Sequence, residues 1–431
     1  MISEINFGKN NIPGVRTGKG LITLWTLLAI WSISTITSLP GLAVTPILGD
    51  LDTIFPHVSD LEIQMLSSLP NLLIIPFVLL SGKMSESKGK IPMLVIGMSL
   101  FLLCGILYFF ANTMRTLIII SCFLGMGAGI IIPLSTGLIA DFFVGKYRTK
   151  QMGLSSGINN LTLVLATLLT GWLANINWHL PFIVYLIPII SLCLAYFLTP
   201  RYLKKVGTAQ TEANQSASNT AQTTTPVANP YVKPGTEVNT KLLSGLTIIY
   251  FVLTCLTILV TLNISFVLQN YHIDSTKAGT IISIYFLAVT IPGFCVTKIL
   301  HVLKNSTVYI CIFAIALGFL CIILFKSFGL IALGCFLMGF GYGIIQPLIY
   351  DKTSLVATPK KTTFALACVM SGNYLAIILT PFIATFMQWV CGEKSNILFP
   401  FWINLGIAIV FAILAYWKRN SFLFSDKASL K

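Results

Sequence analysis

The sequence predicts an all-α polytopic membrane protein with twelve transmembrane helices in two six-helix pseudo-repeats. Three observations carry that prediction. Of 431 residues, 56% are hydrophobic and only 9% are charged, with a mean hydropathy of +0.88; a soluble domain carries about 25% charged residues, so lipid must solvate the apolar surface. Twelve apolar runs are each long enough to cross about 30 Å of hydrocarbon at about 1.5 Å per residue. A glycine-rich segment of the fourth run returns in the tenth.

In order, the runs fall at 21–46, 62–81, 91–111, 116–140, 152–174, 180–199, 242–268, 278–300, 307–325, 328–350, 364–388 and 398–417. The weakest separation lies around Lys326. Residues 1–20 are polar and carry Lys9, Arg16 and Lys19. They read as a cytoplasmic segment rather than a cleaved signal, because the run that follows is too long for a signal-peptide core. Runs one to six form an N-terminal half, 21–200, and runs seven to twelve a C-terminal half, 242–417, followed by a tail at 418–431. Between the halves, 201–241 contains a stretch from Thr208 to Thr225 rich in Thr, Ala, Ser, Gln and Asn. That composition cannot bury a core, so a disordered linker is expected.

Loop charge sets the orientation. With both termini inside, the cytoplasmic segments hold 23 basic and seven acidic residues, and the outer loops hold four basic and six acidic ones. The N-terminus, linker and C-terminus are therefore expected in the cytoplasm, with the chain a multi-pass protein of the inner (cytoplasmic) membrane. The net charge of +14 is thus a topology signal and implies no nucleic-acid partner. Of ten cysteines only Cys391 falls in a polar segment, and His57, His179, His272 and His301 are scattered; no disulfide framework, metal spacing or cofactor site is readable.

The internal echo runs Gly125-Met-Gly-Ala-Gly-Ile-Ile-Ile-Pro-Leu134 against Gly339-Phe-Gly-Tyr-Gly-Ile-Ile-Gln-Pro-Leu348, with seven of ten positions identical at a constant offset of 214. Ser156-Gly157-Ile158-Asn159 is answered by Ser371-Gly372-Asn373 in the next helix of the second half. Each echo occupies the same rank within its half, as a duplicated six-helix unit requires.

At the end of run two stands Gly82-Lys-Met-Ser-Glu86-Ser-Lys-Gly89-Lys90. Here the sequence resembles the major facilitator superfamily, whose loop between helices two and three reads Gly-x-x-x-Asp-Arg/Lys-x-Gly-Arg/Lys. Gly82, Glu86, Gly89 and Lys90 match by position, Glu86 replacing Asp, while Ser87 departs where a cation is usual. Asp141-Phe-Phe-Val-Gly-Lys146-Tyr-Arg148 resembles the charged segment between helices four and five. The resemblance implies the major facilitator fold and gating by alternating access, with Glu86, Asp141 and Arg148 expected to form an ion network that latches the cytoplasmic side. It is closest to bacterial drug-efflux members, with two departures. Ser121 stands where many proton-coupled members have arginine, and Leu165-Ala-Thr-Leu-Leu-Thr-Gly171 replaces the Gly-Pro pair of drug/proton antiporters.

Every acid and base falls in a loop or at a helix end, so no charge sits near the midplane, where one would be costly and usually functional. If protons are the coupling ion, the acids open to that role are Asp60, Glu62, Asp141 and Asp351. Neutral polar groups are plentiful instead. Trp31, Ser34 and Ser38 share a face of run one, and amides, which face lipid poorly, enter run two at Asn71, run five at Asn160, run seven at Asn263 and run eleven at Asn373. Run ten places Tyr342 and Gln346 four apart, with Tyr350 four further on. Trp31, Ser34, Ser38, Asn71, Asn160, Asn263, Tyr342, Gln346 and Asn373 are the candidate substrate-binding residues. In run seven Asn263 faces away from Thr254, Thr257 and Thr261, so only one of those faces can line a cavity.

With no phosphate-binding Gly-x-x-x-x-Gly-Lys-Ser/Thr loop, the expected partners are membrane lipid, a small-molecule substrate and an ion gradient. The expected activity is export of a small amphipathic organic compound; uptake or exchange of a neutral nutrient is the alternative. A membrane enzyme is a remote third reading, since no catalytic constellation is present.

Overall fold

The computed structural model describes residues 5–7, 13–18, 20–40, 54–55, 58, 60–174, 176–199, 231–232, 236–272, 277–392 and 396–425. The end of the first expected span, 41–46, and nearly all of the expected linker lie outside them.

Ten stretches of the described residues are long and apolar enough to cross a membrane, and one of these, Gly279–Leu324, holds two helices. With the shorter helix Leu24–Ser34 the spans number twelve. In chain order they are α1 (Leu24–Ser34), α2 (Asp60–Lys88), α3 (Lys90–Leu107), α4 (Met114–Phe142), α5 (Gly145–Ala174), α6 (Pro188–Ala195), α7 (Thr240–Asn270), α8 (Ala278–Leu303), α9 (Thr307–Leu324), α10 (Phe328–Leu355), α11 (Thr362–Val390) and α12 (Phe399–Trp417).

Two elements differ from expectation. The sixth span is not one α-helix: 3₁₀ turns at Leu180–Leu186 and Tyr196–Leu198 flank α6. Pro188 lacks a backbone donor where the first 3₁₀ segment passes into α6, which interrupts the ladder at that junction. At the N-terminus, residues expected to be plain polar chain form a small antiparallel sheet, β1 (Ile5–Phe7), β2 (Pro13–Arg16) and β3 (Leu21–Thr23), in that order. The first apolar run therefore opens as a strand, and α1 starts where the Thr23 side chain accepts from the Thr26 amide.

The repeated glycines explain how each half closes on itself. A methyl on Gly125 would meet the Pro70 carbonyl at 2.5 Å, and one on Gly339 would strike the Tyr285 carbonyl, so α4 lies against α2 as α10 lies against α8. Gly127 likewise abuts Gly97 of α3, and Gly341 abuts Cys311 of α9. Small residues admit such backbone approach in a medium where apolar attraction between helices is weak. The buried hydrophobic side chains gather in two clusters, one drawn from Val15 to Leu198 with Ala367 and Met370, the other from Leu243 to Phe424. Large apolar side chains such as Ile96, Leu168, Phe313 and Val410 are left on the outer surface, where lipid would cover them.

Among the described residues, two of the contacts between the halves are close approaches at glycine. On α5, a methyl at Gly153 would lie 2.9 Å from the Gly293 carbonyl of α8, and one at Gly157 would lie 3.2 Å from that of Thr290. On α2, a methyl at Gly82 would lie 2.5 Å from Ala367 Cβ of α11. The described residues nearest the two termini pack at one end of the molecule, called here the linker end: the Val144 amide donates to Thr17 O at 3.0 Å, and Lys352 Nζ donates to Leu423 O at 3.0 Å.

Candidate functional site

Between the two clusters lies a cavity of about 180 Å³. The N-terminal half supplies Ser38 and Asn71, Ser135 and Thr136 on α4, and Ser156, Asn159 and Asn160 on α5. The C-terminal half supplies Thr254 and Thr257 on α7, Tyr285 and Phe286 on α8, Tyr342, Gln346 and Tyr350 on α10, and Asn373 and Tyr374 on α11. Among the described residues no charged side chain lines it, and no group of three or more His, Cys, Asp or Glu could hold a metal ion.

A hydrogen-bond network organises the C-terminal wall. The Tyr250 and Tyr350 hydroxyls lie 2.7 Å apart, and Gln346 Nε2 donates to Tyr250 at 3.0 Å. Asn373 Oδ1 accepts from Thr254 at 2.7 Å and from Tyr342 at 3.3 Å. Ser156 Oγ donates to Gln346 Oε1 at 2.7 Å and so joins the two walls.

The linker end is closed by ion pairs. Lys361 Nζ, just before α11, donates to Glu86 Oε2 at 2.5 Å, and Glu237 Oε2 lies 3.5 Å from the same ammonium. Pairing with the Glu86 carboxylate raises the Lys361 pKa above its ordinary value. Arg148 Nε donates to Asp351 Oδ1 at 2.5 Å and Thr149 Oγ1 donates to Asp351 Oδ2 at 2.8 Å, with the carboxylate wholly buried. Both pairs join the halves. Lys90 Nζ donates to Asp141 Oδ2 at 2.6 Å within the N-terminal half, and Gly89 supplies the φ of +78° that this loop needs before α3.

The Major Facilitator Superfamily model matches residues 23–381, with a further match over 242–423. The chain belongs to the Major Facilitator Superfamily. Over 179 residues it is 27% identical to the Multidrug transporter protein MdtP of Bacillus subtilis, a stretch covering 41% of this chain and 32% of that one. Over 115 residues it is 29% identical to the Quinolone resistance protein NorA of Staphylococcus aureus, covering 27% and 29% respectively. The chain thus matches about a third of the length of these curated relatives. Two solved structures share the fold over nearly the whole chain. The human organic anion transporter MFSD10 (TETRAN) aligns with a TM-score of 0.69 at 15% identity, covering 90% of this chain and 98% of that one. The proton:xylose symporter XylE aligns with a TM-score of 0.67 at 16% identity, covering 94% and 96%.

Within this superfamily member, six of the nine candidate binding residues line the cavity: Ser38, Asn71, Asn160, Tyr342, Gln346 and Asn373. Trp31, Ser34 and Asn263 do not. Trp31 Nε1 donates to Gln151 at 2.9 Å, and the Ser34 and Ser155 hydroxyls lie 2.6 Å apart. With Thr37 on Asn159 Oδ1 at 2.7 Å, these bonds form a polar seam between α1 and α5, in register because Gln151, Ser155 and Asn159 recur every four residues. Asn263 Nδ2 donates to the Leu259 carbonyl of its own helix at 3.0 Å, so the threonine face of α7 is the cavity face. The three residues expected to form one latch take separate partners: Glu86 with Lys361, Arg148 with Asp351, and Asp141 with Lys90. Gly82 brings α2 against α11, and Lys90 is the base that holds Asp141.

Sequence reasoning did not single out Tyr250, Tyr285 or Lys361. The repeat held the signal for one of them. Eight pairs of lining residues stand 214 apart, among them Asn71 with Tyr285, Asn159 with Asn373 and Asn160 with Tyr374. Carrying each candidate across by that offset reaches Tyr285 and Tyr374 directly. Lys361 had no such mark, because its counterpart in the first half is Tyr147.

Proposed function

We propose that this chain is a secondary active transporter that exports small amphipathic organic compounds, driven by an ion gradient. The observation that carries the reading is an uncharged cavity between two half-molecules whose linker end is shut by two breakable ion pairs. A site without fixed charge favours solutes that are neutral overall, since an unpaired charge buried there is costly. Opening one end while closing the other requires contacts that exist in one state only, and Glu86 with Lys361 and Arg148 with Asp351 are of that kind. The efflux direction draws support from relatives named for multidrug and quinolone resistance. In this reading the two halves, 21–200 and 242–417, are the moving bodies, and the linker end with both termini is cytoplasmic.

The test is accumulation of labelled amphipathic and neutral solutes in energised cells with and without the protein, repeated after the proton gradient is collapsed. Lower accumulation of amphipaths that reverts on collapse is the expected result. Raised accumulation of one neutral solute would make the chain an uptake permease instead.

A further inference from the structure

The cavity walls are two copies of one frame that carry different chemistry. At three of the eight equivalent pairs a small polar residue of the first half is answered by a tyrosine of the second: Asn71 by Tyr285, Thr136 by Tyr350, and Asn160 by Tyr374. Among the described residues, the five aromatic side chains that line the cavity all belong to the C-terminal half. A solute between them therefore meets aromatic rings, with their own polar groups, on one side and hydroxyls and amides without rings on the other.

Part of the polar wall remains uncommitted after its protein hydrogen bonds are assigned. Asn160 donates Nδ2 to the Ser156 carbonyl, which leaves its Oδ1 to accept. Asn159 accepts from Thr37 at Oδ1, which leaves its NH₂ to donate. Ser135 and Thr136 line the cavity, are 2% and 9% exposed, and make no hydrogen bond among the described residues. The wall thus holds both donor and acceptor capacity, with no ionised group among the described lining residues.

We infer that the cavity binds a flat, uncharged conjugated ring whose face stacks on the tyrosine wall and whose edge carries a paired donor and acceptor, as a primary amide or lactam does, turned to the polar wall. Aromatic faces pack on tyrosine in offset or edge geometry with a gain beyond area alone. An amide edge matches what Asn159 and Asn160 leave open, and mismatch there strands a buried polar group. The inference rests on the reading of this cavity as the transport site.

The test is binding of radiolabelled naphthalene-2-carboxamide to the purified full-length protein in nanodiscs, with three unlabelled competitors. The decahydronaphthalene amide removes the ring face, the N,N-dimethyl amide removes the donors, and a naphthyl trimethylammonium adds charge. The saturated analogue should compete about twofold to tenfold more weakly, and the dimethyl amide about fivefold or more weakly. Tyr374→Leu should erase the first difference only, and Ser135→Ala should lessen the second only. Equal competition by ring and saturated analogue, or tightest binding of the cation, overturns the inference. Cellular export of solutes with no ring preference would overturn it while leaving the transport reading intact, and selective binding without flux would do the reverse.

Discussion

Thr149 and Thr363 occupy equivalent positions in the two halves, 214 residues apart, and meet opposite fates. Thr149 Oγ1 donates to Asp351 at 2.8 Å. The residue equivalent to Asp351 in the first half is Gly137, and Thr363 packs against it with its hydroxyl buried and without a hydrogen-bond partner among the described residues. One half thus offers a carboxylate where the other offers nothing, and the closed linker end carries both a strong bond and an unmet donor.

Thr363→Val keeps the shape and removes the unmet hydroxyl. An unsatisfied buried group costs about 1–3 kcal/mol, so the variant should favour the closed linker end by about that amount. Hydrogen exchange in the first turn of α11 should slow several-fold. Unchanged or faster exchange there would show that the hydroxyl finds compensation.

Asp351→Asn leaves the buried Arg148 guanidinium without its counter-charge. Breaking a buried pair from one side costs about 3–5 kcal/mol, which should appear as a lower Tm and a more open linker end. The double variant Arg148→Met with Asp351→Leu should recover most of the Tm but not the transport. Recovery of both would mean the pair serves only packing.

Glu86→Gln should leave Tm almost unchanged, because the Glu86–Lys361 pair is partly exposed. Its effect should fall on the balance between conformations and weaken with added salt. The raised Lys361 pKa fixes the pH sense: the stabilisation is complete below the ordinary value of 10.5 and fades only above it. Titration of Lys361 should therefore leave stability flat between pH 6 and 9, a range that circular-dichroism melts can cover.

Gly339→Ala should prevent α10 from seating on α8, since the added methyl meets the Tyr285 carbonyl. Gly406→Ala on α12 meets nothing within 4 Å and should be neutral or stabilising by about 0.5–1 kcal/mol. Yields of folded protein by size-exclusion chromatography separate the two. A tolerated Gly339→Ala would count against the helix approach described above.

Hydropathy and loop charge made the spans legible, because lipid imposes length and polarity on every crossing. The broken sixth span was signalled by Pro188, yet proline is common in membrane helices and the reading left it whole. The cavity was legible where an amide had nowhere else to go, as at Asn71, Asn160 and Asn373. It was not legible for Trp31 and Ser34, because the same helical face can serve a cavity or a seam, and only the position of α5 decides. Ion-pair partners were the least legible: Arg148 and Asp351 lie 203 residues apart, and nothing local ties them.

The glycine contact of α5 with α8 has a mechanical consequence. Gly153 and Gly157 bring the α5 backbone up to the Gly293 and Thr290 carbonyls, with only the Val296 and Phe294 side chains beside them, so in the proposed transport cycle this contact is the natural pivot. Arg148 lies five residues to one side of Gly153, about 7.5 Å along the helix, and Leu163 lies six residues beyond Gly157, about 9 Å. A fulcrum with nearly equal arms gives a lever ratio close to one. If the halves rock there as proposed, whatever distance the Arg148–Asp351 bond opens should be matched by a closing of about the same size at the far end of α5.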